Sequence, residues 1–200
     1  MIRLSRPFAA LVLALAVSGC ATPLVVEREA ARDELRDAIH ALDGWAVSGR
    51  AAVQADGESV SLSLRWREER PDAYVLDLSG PFGAGAVRIT GSARHATLED
   101  GRGEAVTAAR PEALLAAHTG RYLPVSALRY WMVGIPAPQL PLDGESLDSR
   151  GRPEHLEQDG WDVRYYGWDE VDGLYLPRRV DLQKGAKRVR VALTGWEVER

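Results

Sequence analysis

Two periodicities divide this chain. From Trp45 to Leu98 apolar residues fall on alternate positions, while shorter stretches on either side follow a helical beat. The clearest stretch sets Val60, Leu62, Leu64 and Trp66 between Ser59, Ser61, Ser63 and Arg65, which predicts a half-buried strand. Trp45, Val47, Gly49, Ala51 and Val53 keep the same alternation upstream. Tyr74, Leu76 and Leu78 continue it, as do Val87 and Ile89 beyond a turn at Gly80-Pro81-Phe82-Gly83. Ala96 to Leu98 predicts a weaker strand.

Helical spacing governs Ala31, Leu35, Ala38, Ile39 and Leu42, so an amphipathic helix is expected from Glu27 to Leu42, ended by Asp43-Gly44. Pro111 to His118 predicts a short helix with proline in its first turn and Gly120 at its end. Ser126 to Val133 predicts another, capped by Ser126 and stopped by Gly134. A crossing rich in proline follows (Pro136, Pro138, Pro141). Strands return over Glu154–Gln158, Trp161–Trp168, Leu174–Gln183 and Lys187–Trp196. The fold class is mainly β with α: an antiparallel sheet long enough to curl into an incomplete barrel, covered on one face by short helices. So thin a cover leaves room for an apolar cavity. No internal repeat is present, and a single domain is expected over residues 27–200.

The first residues obey a different rule. Arg3 and Arg6 precede an apolar run from Phe8 to Val17, roughly ten residues and the length of a signal-peptide core. That is too short to span a bilayer. Val17-Ser18-Gly19-Cys20 resembles a bacterial lipobox, in which the thiol takes a diacylglycerol, the signal is cut before the cysteine, and the new amine is acylated. Residues 1–19 are therefore expected to leave as a signal peptide, with lipidated Cys20 and a tether occupying 20–26. Ala21 rather than aspartate follows the cysteine, which by resemblance to Gram-negative sorting favours the periplasmic face of the outer membrane.

Composition adds exclusions. The 200 residues carry 25 Lys and Arg against 29 Asp and Glu, a formal charge of −4. Loss of Arg3 and Arg6 with the signal takes this to −6, which gives no purchase for nucleic acid. Cys20 is the only cysteine, so no disulfide holds the fold. There is no Gly-x-Ser-x-Gly elbow, no phosphate loop and no His-Glu-x-x-His. His40, His95, His118 and His155 are scattered without ligand spacing, so no metal site is expected. His118 is expected at a helix C-terminus, where positive charge is favourable. Glu68-Glu69 and Glu99-Asp100 read as solvated charge at strand ends. Lys184, Lys187, Arg188 and Arg190 read as a hairpin turn and a basic outer strand face that discourages edge pairing. An enzyme is not indicated.

Several motifs converge on one family. The chain resembles LolB through Cys20 and its lipobox, Gly49-Arg50, Leu78-Ser79-Gly80-Pro81-Phe82-Gly83, and Leu123-Pro124-Val125 with Trp131. Gly134-Ile135-Pro136, Gln158-Asp159-Gly160-Trp161 and Leu176-Pro177 complete the set, in order, through nearly the whole mature chain. The resemblance implies a barrel with a helical lid, whose hydrophobic cavity receives the acyl chains of lipoprotein cargo from a LolA-like periplasmic carrier. It implies delivery to outer-membrane lipids with no cofactor beyond the acyl groups on Cys20, and a monomer is expected. The inward candidates are Trp45, Val47, Val60, Leu62, Leu64, Trp66, Tyr74, Leu76, Leu78, Val87 and Ile89, with Leu114, Leu115, Leu128 and Trp131 from the lid. Each would serve equally in plain core packing. Phe82, between Pro81 and Gly83, is apolar where a turn usually carries a polar residue, and the resemblance implies a membrane-inserting loop there, with phenylalanine in place of leucine. A lipid-anchored structural protein with a solid core is the alternative.

Overall fold

A computed structural model describes residues 22–55, 57–69, 72–92, 95–120 and 122–200. The signal peptide and Cys20 lie outside the described residues. Helix α1 (Thr22–His40) leads into β1 (Gly44–Ala55), β2 (Glu58–Glu69), β3 (Ala73–Ser79), β4 (Val87–Gly91), β5 (Ala96–Asp100) and β6 (Ala105–Ala108). Two short helices follow, α2 (Pro111–Thr119) and α3 (Val125–Trp131). The chain then returns to strands: β7 (Leu142–Leu147), β8 (Pro153–Gln158), β9 (Trp161–Tyr165), β10 (Trp168–Val171), β11 (Leu174–Pro177), β12 (Arg179–Lys184) and β13 (Lys187–Glu199).

Eleven strands form one antiparallel sheet in the order β6-β5-β4-β3-β2-β1-β13-β12-β9-β8-β7. Its middle is β1, paired along its length with β2 on one side and β13 on the other. Gly49 makes that junction possible, because a Cβ there would stand 2.3 Å from the Ala192 carbonyl oxygen. The alternation then sorts the faces. In β2, Ser59, Ser61, Ser63, Arg65 and Arg67 are exposed, whereas Leu64 and Trp66 are buried.

The sheet must curl, and α3 shows why. Arg129 of α3 bonds Glu68 of β2 and lies over the Tyr74 ring of β3, while Trp131 of the same helix bonds Gln158 of β8. In a flat sheet β3 and β8 would stand about 29 Å apart at ~4.8 Å per strand. A helix the length of α3 spans only about 10 Å. One short helix reaches both because the sheet wraps around it. The outer strands β6 and β7 pair with one neighbour each, so the barrel stays open.

Gln158 fastens the wrap. Fully buried, its Oε1 accepts from Trp131 Nε1 at 2.7 Å and from the Ala137 N–H at 2.8 Å. Its Nε2 donates to the carbonyls of Ala137 and Leu140, each at 3.2 Å. Three of the four bonds draw the α3–β7 crossing onto β8, and the Trp131 bond draws the end of α3 there.

Several expectations need correction. Helix α1 starts at Thr22, five residues before the expected Glu27; a proline in the first turn does not oppose this. It ends at His40, and Gly44 opens β1 instead of capping the helix. The segment after α1 is held by the Asp43 N–H donating to the Glu199 carbonyl at 2.9 Å. Trp161–Trp168 breaks at Gly167, whose φ is +73°, and Leu174–Gln183 breaks after Pro177. Between the breaks β10 and β11 form their own hairpin around Asp172-Gly173, both at positive φ, a signature of a tight hairpin turn. The edge strands β6 and β7 carry weak patterns and escaped the reading. The basic residues of β13 do not guard an edge, because β13 lies between β1 and β12; Arg190 pairs across to Asp181 at 3.2 Å.

Helix α1 is seated at two places. Arg32 and Arg36 hold Glu145 of β7 at 3.0 and 2.8 Å. Gly151, at φ +76°, packs so closely beneath the helix that a Cβ would meet Ala31 Cβ and the Arg28 carbonyl oxygen at 2.6 Å. Replacing Gln158 by Leu keeps the volume but strands the Trp131 and Ala137 donors. A loss of about 3 kcal/mol is expected, read as a lower urea midpoint with an unchanged slope.

Candidate functional site

The inner face is built differently at its two ends. At one end Trp196, Trp45, Trp66 and Tyr74 stand on four successive strands, with ring centroids 5.6, 6.2 and 5.5 Å apart. These rings fill the interior. At the other end three of these strands, β1, β2 and β3, carry Val53, Val60, Leu62 and Leu78, with Val87 of β4 beyond them. Shorter side chains at the same strand spacing leave volume unfilled. A cavity of about 380 Å³ lies there, completed by Leu115 and Thr119 of α2, Tyr122, Leu123 and, from the turn, Gly80, Pro81, Ala84 and Gly85. Val60 and Leu62 are only half-buried, so it meets solvent at this end.

The turn at its rim folds as a short 3₁₀ segment, Pro81–Gly83, closed by the Gly80 N–H donating to the Ala84 carbonyl at 2.7 Å. Pro81 faces the cavity. Phe82 points away, 110% exposed, with its backbone in the left-handed region at φ +56°. That conformation costs roughly 1–2 kcal/mol for a residue with a Cβ. A phenyl ring thus stands in water on a strained backbone beside an apolar opening.

The roof over the inner face is tied to the sheet by charge. The Glu68 carboxylate accepts from Trp66 Nε1 at 3.2 Å and from Arg129, which also reaches Asp72 at 3.0 Å. Glu68 is 7% exposed, so this carboxylate is buried and paired, contrary to the solvated charge read at strand ends. Burial alone would lower the Arg129 pKa; the bonds to Glu68 and Asp72 outweigh it and hold the guanidinium above its ordinary value. Burial pushes the Tyr74 hydroxyl well above the usual phenol range, against the lowering pull of Arg129. Helix α3 is in turn bound to α2, where the buried Glu112 carboxylate accepts from the Ser126 N–H at 2.7 Å. Ser126 is therefore a capped residue, not the cap; Pro124 occupies that position.

Of the residues predicted to face a cavity, Val60, Leu62, Leu78, Val87 and Leu115 line it. Trp45, Val47, Leu64, Trp66, Tyr74, Leu76, Ile89, Leu114, Leu128 and Trp131 pack in the buried core, and the structure does not bring them to this opening. The Tyr122-Leu123 wall lies in a loop without periodicity, and only the Leu123-Pro124-Val125 motif marks it. His118 sits in the last turn of α2, as expected. His155 is less isolated than its spacing suggests. Its Nε2 is 3.1 Å from Asp162, and Glu157 completes a group whose ligand atoms lie within 4.8 Å of one another. Two Arg164 bonds, at 2.8 and 3.1 Å, already occupy both Asp162 oxygens.

Comparison with known proteins decides the family. The model of the outer membrane lipoprotein LolB matches residues 43–196. The chain belongs to the LolB family. A LolB from Halorhodospira halophila is 55% identical over 194 residues, covering 96% of this chain and 94% of that protein. One from Alkalilimnicola ehrlichii is 42% identical, covering 92% and 93%. Among solved structures, a LolA superfamily protein from Nitrosomonas europaea overlays with a TM-score of 0.51 at 11% identity, covering 88% of this chain and 94% of its own. A lipoprotein-sorting protein domain from Vibrio parahaemolyticus gives 0.50 at 8% identity, covering 88% and 90%. Those likenesses carry the fold: a large antiparallel sheet with short helices.

The LolB motifs now have places. Gly49 admits β13, Pro81 and Phe82 form the rim, Leu123 walls the cavity, and Trp131 and Gln158 lock the roof. Arg129→Met is expected to cost about 3–5 kcal/mol, because it takes the Arg129 cation away from the buried Glu68 carboxylate. The double variant Glu68→Gln with Arg129→Met should recover much of that loss, measured by urea denaturation of all three proteins.

Proposed function

We propose that this LolB-family lipoprotein is an outer-membrane receptor that takes acylated lipoproteins from a LolA-like carrier and passes them into the bilayer. The observation that carries the reading is the pairing of an apolar cavity with a fully exposed phenyl ring on its rim. Each methylene kept out of water is worth about 0.8 kcal/mol. Acyl chains therefore cross an aqueous gap only when sheltered, and donor and acceptor cavities must meet mouth to mouth. The opening beside α2 and the Pro81–Gly83 turn is the proposed entrance and docking surface. Val60, Leu62, Leu78, Val87 and Leu115 are the proposed acyl contacts, and binding and release involve no bond made or broken.

Phe82 is the proposed membrane probe. An exposed aromatic at a rigid turn gains by burial at the headgroup boundary, and its strained backbone holds it outward. Cys20 supplies the anchor. With α1 starting at Thr22, the lipid is joined to a stiff helix after a single intervening residue, and Val25 and Val26 are exposed in its early turns. That arrangement keeps the domain close to the membrane.

Three measurements test this. A fluorescent fatty acid should bind the soluble domain saturably; its failure to bind would favour a lipid-anchored structural role. Cargo held by a periplasmic carrier should transfer to a folded form lacking Cys20, and absence of transfer would defeat the receptor reading. Phe82→Glu should still accept cargo yet release it into liposomes poorly. Release at the normal rate would reduce Phe82 to an incidental surface aromatic.

A further inference from the structure

A second pocket adjoins the acyl cavity, and it is polar where the first is not. It has a volume of about 310 Å³ and is lined by Arg110, Glu112, Gln139, Asp159, Trp161 and the other side of Tyr122, among others. Tyr122 is the shared wall. Its ring stacks on Trp161 with centroids 6.5 Å apart and planes 14° apart, and Lys187 Nζ lies 5.0 Å from the ring centre. The tyrosine is 38% exposed, so it separates the pockets near their mouths.

Glu112 makes this a built site. It is 5% exposed, held in the first turn of α2 with Oε1 engaged by the Ser126 N–H. The helix dipole favours a carboxylate there. Its Oε2 is buried and accepts no hydrogen bond among the described residues. Arg110 Nε stands 4.0 Å away on a side chain 75% exposed. A buried carboxylate oxygen without a donor costs stability that a bound donor would return.

We propose that this pocket receives the N–H groups of an acylated cysteine, with Glu112 Oε2 as their acceptor. The proposal rests on the cargo reading above. In an N-acylated, diacylglyceryl cysteine the two glyceryl chains end on esters, whereas the third chain ends on an amide, with the cysteine's own peptide N–H groups beside it. Chains in the apolar cavity would place those amides across the Tyr122 wall. The pocket thereby distinguishes an amide-bearing acyl group from an ester-linked lipid, which carries chains but no N–H donor at that point.

Glu112→Gln is the informative change. Its oxygen can keep the Ser126 bond, while the second position becomes a donor facing a donor. A triacylated cysteinyl peptide should bind this variant about tenfold more weakly than wild type, as expected for a lost charge-assisted bond, while a fatty-acid probe binds both alike. Thermal melting of the variant checks the fold. A lipopeptide N-methylated at the amides nearest its acyl chains should bind wild type weakly and lose nothing further in the variant, and this arm decides alone if Glu112→Gln does not fold. Unchanged lipopeptide affinity in a well-folded variant, or an N-methylated ligand that binds like its parent, would overturn the proposal. If lipopeptide binding depends on Glu112 but wild type fails to bind the fatty acid, the subsite stands and the acyl-cavity reading falls. If wild type binds neither ligand, both fall.

Discussion

The structure turns on the need to cover one apolar face of an antiparallel sheet whose edges do not meet. A closed barrel would bury that face against itself. Among the described residues β6 and β7 remain unpaired at their outer sides, and two helices of nine and seven residues supply the cover. So little helix can only work if each residue is held firmly. Gln158 and the Arg129–Glu68 pair do this with buried polar contacts, which resist sliding because any displacement leaves a group unsatisfied. Apolar packing alone would permit many nearly equal placements of so short a roof.

From that constraint the cavity follows. The rings at one end of β13, β1, β2 and β3 fill the interior and carry the ion pair that anchors α3. At the other end valine and leucine do not reach the roof, and the space they leave opens beside the Pro81–Gly83 turn. Firm anchoring and an open pocket thus share the same strands without competing. The two pockets then gather features that stability alone would not select: an exposed phenylalanine at positive φ on the rim of one, and in the other a buried carboxylate oxygen that accepts no hydrogen bond among the described residues. Local costs of this kind concentrate where a protein meets a ligand or a surface.

Much of this was legible in the chain. Alternation located β1 to β5 because one face is buried and the other wet, so the period of two survives in the residue types. Proline at the start and glycine at the end marked α2 for a local steric reason. The apolar tip at Phe82, fully exposed in the structure, needed no tertiary context either. What failed were features set by distant partners. The strand pattern of β7 is weak because its pairing with β8 and the grip of Glu145 on α1 settle its place. Glu68 read as solvated because nothing near it in sequence announces Arg129, sixty-one positions away.

The sequence by itself determined which residues turn inward, that the chain is exported and lipid-anchored, and that no familiar catalytic motif is present. It could not tell a cavity wall from a core, since both require the same alternating apolar residues. Tertiary structure made that distinction through side-chain length. Trp45, Trp66 and Tyr74 meet their neighbours and close the space, whereas Val60, Leu62 and Leu78, on two of the same strands, fall short of α2 and leave it open. Whether an apolar side chain becomes packing or lining depends on what stands opposite, and that is decided by the curl of the sheet and the reach of the helices.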